Sequence, residues 1–199
     1  MNQKTLLIGG TSHLGKSTLA QQLTSRFEAK TISTDHLARH PGRPWKTSID
    51  LLPTHVIEHY ETLDTNELLQ NVLTHYQKQW PKIQAIIDES DGPFLIIEGS
   101  AIGPSWVATH LKEEVMGIWL IAKPELIQER IYQNSGYEER SEREQFLIDQ
   151  FCRRSIRFNE LVFEEVKQYA LPYLEIDFQT SRTELAQLCI TKTGWALDA

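Results

Sequence analysis

The chain has 199 residues, 40% of them apolar, and a formal net charge of −7. That length accommodates one domain with a sizeable core and gives no ground for two. The acidic balance argues against general DNA or RNA binding, which leans on basic surface, while leaving room for a local basic pocket.

Residues 5–10, TLLIGG, form an apolar run that ends in paired glycines and predict a buried strand. Residues 16–28 follow with Leu19, Ala20, Leu23 and Phe27 at helical spacing. KTIS, residues 30–33, makes a short second strand, and residues 41–53, with three prolines and a glycine, read as loop. From Asp64, a suitable N-cap, to residue 87 the apolar spacing argues helix, which Pro81 should kink or divide. DGPFLIIEG gives a turn and a third strand, residues 104–114 a short helix, and VMGIWLIA a fourth strand. Residues 124–134 and 144–169 are helical, with a polar, glycine-containing break between them. LPYLEID is a last strand, and a last helix begins after Ser181, with Glu184 completing a capping box.

Strands alternating with helices predict an α/β fold on a five-stranded parallel sheet with helices on both faces. The irregular segments 36–63 and 135–144 look like insertions over one end of that sheet. The two cysteines, Cys152 and Cys189, lie far apart within predicted helices and read as buried thiols of a reducing compartment. The first apolar run is too short for a signal-peptide core. No run reaches the roughly 18 residues that span a bilayer. A soluble, cytoplasmic protein is the expectation.

The strongest signal is GTSHLGKS, residues 10–17, which fits G-x-x-x-x-G-K-[ST] between a strand and a helix. Four fixed positions at that spacing arise by accident in about one chain of this size in a hundred. The chemistry needs these residue types. Gly10 and Gly15 let the backbone turn and approach phosphate closely. The amides of Thr11, Ser12, His13, Leu14 and Thr18 then surround an anion at a helix start, where the helix dipole favours it. Lys16 reaches the terminal phosphates and the Ser17 hydroxyl ligates Mg²⁺. The plain alternative is a glycine-rich turn with an exposed lysine, and His13 reads as a space-filler. Glu98, closing the apolar strand FLIIE, is a second metal candidate, able to hold Mg²⁺ through water or to orient the attacking group. Its plain alternative is an ordinary polar strand end.

The D-x-x-G and N-K-x-D signatures of GTP-binding switches are absent. The chain resembles the small P-loop kinases, which phosphorylate metabolites or nucleotides. GGTSHLGKSTLA, ISTD with an arginine following, and LIIEGSAIGP are similar to the pattern of 2-phosphoglycerate kinase and its relatives. Chloramphenicol phosphotransferase and the zeta-toxin kinases share the general layout. The resemblance covers residues 4–40 and 92–125 well and the lid and last strand loosely. Residues 41–91 match nothing named.

The resemblance implies a P-loop NTPase fold of nucleoside or small-molecule kinase type. It also implies a single kinase domain over residues 1–199, with an acceptor-binding insertion near 36–91 and a lid near 135–144. In such kinases an Asp after the second strand faces the acceptor hydroxyl, and Asp35 stands there. A helix N-cap is the alternative role for Asp35, compatible with the first. Arg39 and Arg43 follow and form a candidate clamp for a carboxylate or phosphate. The alternative for both is pairing with surface acids. Trp45 reads as a loop anchor. The lid should bring an arginine to the transferring phosphoryl group. Candidates are Arg130, Arg140, Arg143, Arg153, Arg154 and Arg157. Arg154 lies on the apolar stripe of Leu147, Phe151 and Phe158 and needs an anionic partner there. It comes first, and Arg143 second.

The reading is an ATP- and Mg²⁺-dependent kinase of a small, anionic metabolite, with no nucleic-acid or membrane partner. The rivals are a nucleoside monophosphate kinase and a nucleotide-binding regulator without turnover.

Overall fold

In the computed structural model, which describes residues 4–37, 42–110 and 114–195, the first apolar run becomes strand β1 (Lys4–Gly10). The order continues α1 (Lys16–Phe27), β2 (Lys30–Ser33), α2 (Thr54–Thr62), α3 (Thr65–Gln77), α4 (Trp80–Glu89) and β3 (Phe94–Glu98). After these come α5 (Pro104–His110), β4 (Val115–Ala122), α6 (Pro124–Ser135), α7 (Glu142–Gln168), β5 (Tyr173–Ile176) and α8 (Arg182–Thr193). Single 3₁₀ turns form at Thr34–His36, Ile49–Leu51 and Tyr137–Glu139.

The described strands make one parallel five-stranded sheet in the order β2-β3-β1-β4-β5. β1 sits at the centre, apolar and buried along almost its whole length. Its side chains alternate between two cores. Leu6 and Ile8 pack under α1, α6 and α8, while Leu7 joins Leu95, Ile97 and Trp119 under α4 and α5. Both faces are therefore covered, as a parallel sheet requires. α7 serves both cores, with Leu147, Ile148 and Phe151 in the first and Phe158, Val162 and Val166 in the second.

Pro81 divides the predicted long helix rather than kinking it. α3 ends at Gln77 and Pro81 lies in the first turn of α4, where its missing N–H costs nothing. Asp64 caps α3 in a full capping box with Glu67. Ser181 caps α8 by accepting from the Glu184 amide, and the reciprocal bond of the expected box is absent among the described residues.

One expectation is corrected. Residues 36–63 are not irregular throughout, because α2 occupies Thr54–Thr62. Only Val56 and Tyr60 of that helix are buried, one turn apart, so its periodicity is too sparse to read. The lid segment is a tight turn. Gly136 ends α6 at φ 63°, Tyr137 stacks on Tyr132 at 4.0 Å, and Ser141 caps α7 with Glu144. Both cysteines are buried, which pushes the thiols up to about 11 at Cys152 and about 12 at Cys189. No described helix is long and apolar enough to cross a membrane.

Candidate active site

The phosphate loop forms as its sequence predicts, between the end of β1 and the start of α1. Gly15 precedes α1 with φ 89° and ψ 16°, a left-handed conformation that strains any residue with a Cβ. Its carbonyl accepts from the Leu19 amide at 2.9 Å, which opens the helix directly behind the loop. The Lys16 ammonium folds back onto the loop and donates to the Thr11 carbonyl at 2.7 Å. Burial pulls that ammonium below its ordinary value. The Glu98 and Asp35 carboxylates oppose this, and the Arg43 guanidinium adds to it. Lys16 thus feels the carboxylates that end β3 and follow β2, together with a cation of the acceptor loop.

Strand register explains that convergence. Glu98 lies between Ser33 of β2 and Ile8 of β1, so β2 and β3 leave the sheet at one level and β1 two residues further on. Gly99 donates to the Ile8 carbonyl at 3.0 Å, and a Cβ there would collide with Thr34 Oγ1. That close approach holds the turn bearing Asp35 against the end of β3. Asp35 is exposed and makes no side-chain hydrogen bond among the described residues. It caps nothing: Ser33 stands at the cap position of the 3₁₀ turn, without a side-chain bond.

Two hollows meet at the phosphate loop. A cleft of about 500 Å³ lies on one side, lined by His13, Leu14, Gly15 and Thr18 of the loop and by Arg130, Asn134 and Arg182 opposite. A cavity of about 230 Å³ lies on the other, lined by Ser12, Asp35, Arg43, Lys46, Gln79 and Arg154 among others. The wall between them is aromatic. His13 lies 5.8 Å from Trp45, and Trp45 meets Phe151 edge-on at 4.9 Å. Trp45 is 7% exposed and donates to Asn134 Oδ1, so it anchors its loop as expected. His13 has φ 65° and shares the Asn134 oxygen through Nε2 at 3.1 Å. Burial, with Arg43 second, pushes its imidazole down to about 4, which suits a neutral space-filler.

The arginines separate clearly. Arg154 is 5% exposed on α7 and lies over the Phe151 ring at 4.4 Å. Its Nη1 donates to the Tyr60 hydroxyl at 3.3 Å, and that hydroxyl donates to the Gly42 carbonyl at 2.8 Å. No ion pair to Arg154 forms among the described residues. The anionic partner expected for it is therefore not a described side chain. Arg43 lines the same cavity, whereas Arg39 lies outside the described residues, so the two-arginine clamp is described only at Arg43. Arg143 lines neither hollow. It is exposed and pairs with Glu61 of α2 at 2.6 Å. Arg157 pairs with Glu160 on the surface, and Arg153 bonds Gln150. Arg140 bonds the Ser135 carbonyl and Glu144, which fastens the lid turn to α6 and α7.

Arg130 was one candidate among six in the sequence, and its place is informative. Its Nη1 donates to the His13 carbonyl at 3.2 Å, beside the phosphate loop. The signal was its position next to the buried Ile131 of α6. Tyr60, Gln79 and Lys46 escaped sequence reasoning altogether, because they lie in residues 41–91.

The proposed metal ligands fit a divalent cation. Glu98 is 5% exposed, and its carboxylate acts on the Lys16 ammonium. A buried carboxylate in that state suits a cation or its water. Ser17 opens α1 beside Lys16 and is exposed. No cluster of three or more acidic, His or Cys ligands occurs among the described residues. Mg²⁺ held by a hydroxyl, water and phosphates needs none.

No protein-family model matches the chain, and no curated protein sequence does. Solved structures do match. A gluconokinase from Sinorhizobium meliloti 1021 aligns with TM-score 0.54 and 13% identity, over 95% of this chain and 90% of that one. A sugar kinase from Janibacter sp. HTCC2649 aligns with TM-score 0.53 and 14% identity, over 96% and 94%. A deoxyadenosine kinase from M. mycoides with bound dATP aligns with TM-score 0.52 and 16% identity, over 94% and 98%. The fold is that of the α/β P-loop NTPases. At these identities the likeness concerns the fold alone.

Proposed function

We propose that the chain is an ATP- and Mg²⁺-dependent phosphotransferase acting on a small, anionic acceptor. One observation carries this reading: a phosphate loop stands between two hollows, and the smaller holds Asp35 facing Arg43, Lys46 and Arg154. The larger cleft takes the nucleotide, with its phosphates on the loop amides and Lys16. Mg²⁺, when bound, neutralises phosphate charge, and Ser17 and Glu98 are the residues to hold it. Asp35 fixes the acceptor hydroxyl in line and accepts its proton. The three cations hold the acceptor's anionic group, and Arg154, without an ion pair among the described residues, is the one poised to follow charge onto the transferring phosphoryl group.

The solved relatives support this choice, since they include a gluconokinase, a sugar kinase and a deoxyadenosine kinase. The acceptor cavity of about 230 Å³ falls below the roughly 300–1,000 Å³ usual for drug-sized ligands, which favours a metabolite over a nucleotide as acceptor. The deciding experiment is ADP release from ATP across phosphorylated and carboxylated metabolites, with Lys16→Ala protein as blank. Acceptor-stimulated release absent from the blank is the expected result. Uniformly unstimulated release across the panel would sink the kinase reading and favour a nucleotide-binding regulator.

A further inference from the structure

The break between α3 and α4 sets a buried polar side chain in the wall of the smaller cavity, its Oε1 unpartnered among the described residues. Gln79 is 4% exposed and lines that cavity. Its Oε1 is buried and accepts no hydrogen bond among the described residues. A buried polar atom without a partner costs roughly 1–3 kcal/mol. Native folds keep few of them. One that faces a cavity is matched when a ligand supplies the missing group.

The backbone at Gln79 is fixed, so its side chain has little room to turn elsewhere. Its amide donates to the Tyr76 carbonyl at 2.9 Å, and its own carbonyl accepts from Lys82 and Ile83 at 3.0 Å each. Trp80, the next residue, stacks on Trp106 with 3.5 Å between ring centroids and is 5% exposed. Lys82 Nζ donates to the Leu37 carbonyl, tying the start of α4 to the turn that carries Asp35. Gln79 and Asp35 are thereby held on one rim of the same cavity.

We propose that Gln79 is a specificity-determining residue, whose carboxamide binds a hydroxyl of the acceptor other than the one that receives the phosphoryl group. The inference rests on the kinase reading only in naming the cavity's ligand an acceptor. A carboxamide presents an acceptor in one orientation and a donor in the other. A hydroxyl answers both, whereas a second anionic group or a methyl answers only one or neither. The cations Arg43, Lys46 and Arg154 take the anionic group and Asp35 takes the reacting hydroxyl. With Gln79 added, the ligand class is a small polyhydroxy acid: one carboxylate or phosphate and at least two hydroxyls.

The test compares matched pairs that differ by one hydroxyl. D-glycerate against D-lactate and against 3-hydroxypropanoate, and glycerol 3-phosphate against its 1-deoxy analogue, are titrated by calorimetry into the wild-type protein and Gln79→Met. Methionine keeps the length and volume of the side chain and removes its polar atoms. The expected result is a preference of about ten- to a hundredfold for the hydroxylated member of at least one pair in the wild type. Gln79→Met should abolish that preference while ATP affinity stays unchanged and the melting temperature does not fall. No preference in the wild type, or a preference that survives in Gln79→Met, would overturn the role of Gln79. An absent preference in the wild type overturns the role by itself, and where Gln79→Met folds poorly Gln79→Leu takes its place with the same two outcomes. ADP release is read in parallel. Selective binding without turnover defeats the kinase reading and leaves Gln79 in place. Turnover without hydroxyl preference does the reverse.

Discussion

The Arg154 guanidinium rests on the Tyr60 hydroxyl, 3.3 Å away, and on no carboxylate among the described residues. A buried cation held by a neutral hydroxyl and the face of an aromatic ring is under-compensated. It gains most when an anion arrives. Arg154→Ala should therefore lower kcat/KM for the acceptor by about 10²–10³-fold, with ATP affinity changed by less than about twofold. Steady-state kinetics with each substrate varied in turn will show it. A loss confined to ATP affinity would move Arg154 out of the acceptor site.

Asp35 is exposed, caps nothing and stands at the cavity edge. Asp35→Ala should reduce transfer by about 10²–10⁴-fold, the usual worth of a general base. ATP titration should be unaffected and the melting temperature nearly so, since no described hydrogen bond is lost. Unimpaired turnover would remove Asp35 from the chemistry.

Arg143 was the second choice for a catalytic arginine, and the geometry sends it elsewhere, into an exposed pair with Glu61. Exposed pairs of that kind contribute little. Arg143→Ala should leave kcat within about twofold of wild type. A large fall would mean that the lid turn rearranges during turnover and carries Arg143 inward.

Gly99 leaves no space for a Cβ against Thr34. Gly99→Ala must push the 3₁₀ turn of Asp35 away from β3. The overpacking should destabilise the fold by about 1–3 kcal/mol. It should also lower kcat more than ATP affinity, because the displaced turn is on the acceptor side. Chemical denaturation and single-substrate titrations separate the two effects.

His13 is held neutral down to about 4 by burial, against an ordinary value of 6.5. The folded protein thus binds fewer protons than the unfolded chain between those values. The stability tied to this residue is complete above pH 6.5 and is lost as pH falls towards and through 4. His13→Asn, which tolerates the positive φ, should flatten part of the fall in melting temperature across that window. Parallel curves for the two proteins would show that His13 titrates normally.

The fold was readable because β1, β3 and β4 are uninterrupted apolar runs, and because Gly10, Gly15, Lys16 and Ser17 form a motif whose loop and flanking elements follow from it. Asp35, Glu98 and Arg154 stood out in the sequence at strand ends and on a helical stripe, and they lie near Lys16 or in the smaller cavity. Tyr60 and Gln79 did not. Tyr60 is a polar group on a short helix whose contacts lie with distant segments, and Gln79 sits in the break between two helices, where it lines the cavity. Gly42 and Arg154 meet Tyr60 only in three dimensions. Arg143 misled because proximity to the lid in sequence says nothing about which way a first-turn side chain points.

The strand order carries a consequence for biosynthesis. Lys4 of β1 lies opposite Phe94 of β3, and Thr5 opposite Val115 of β4. The central strand, β1, therefore has no sheet partner until residues 90 positions later have emerged. Long-range parallel pairing of this kind is slow, and unpaired apolar strands attract one another. A nascent chain of this protein spends nearly half of its synthesis with its central strand waiting, since β3 ends at residue 98 of 199. Early truncations should aggregate, and chaperones that hold short hydrophobic segments should find a binding site at TLLIGG.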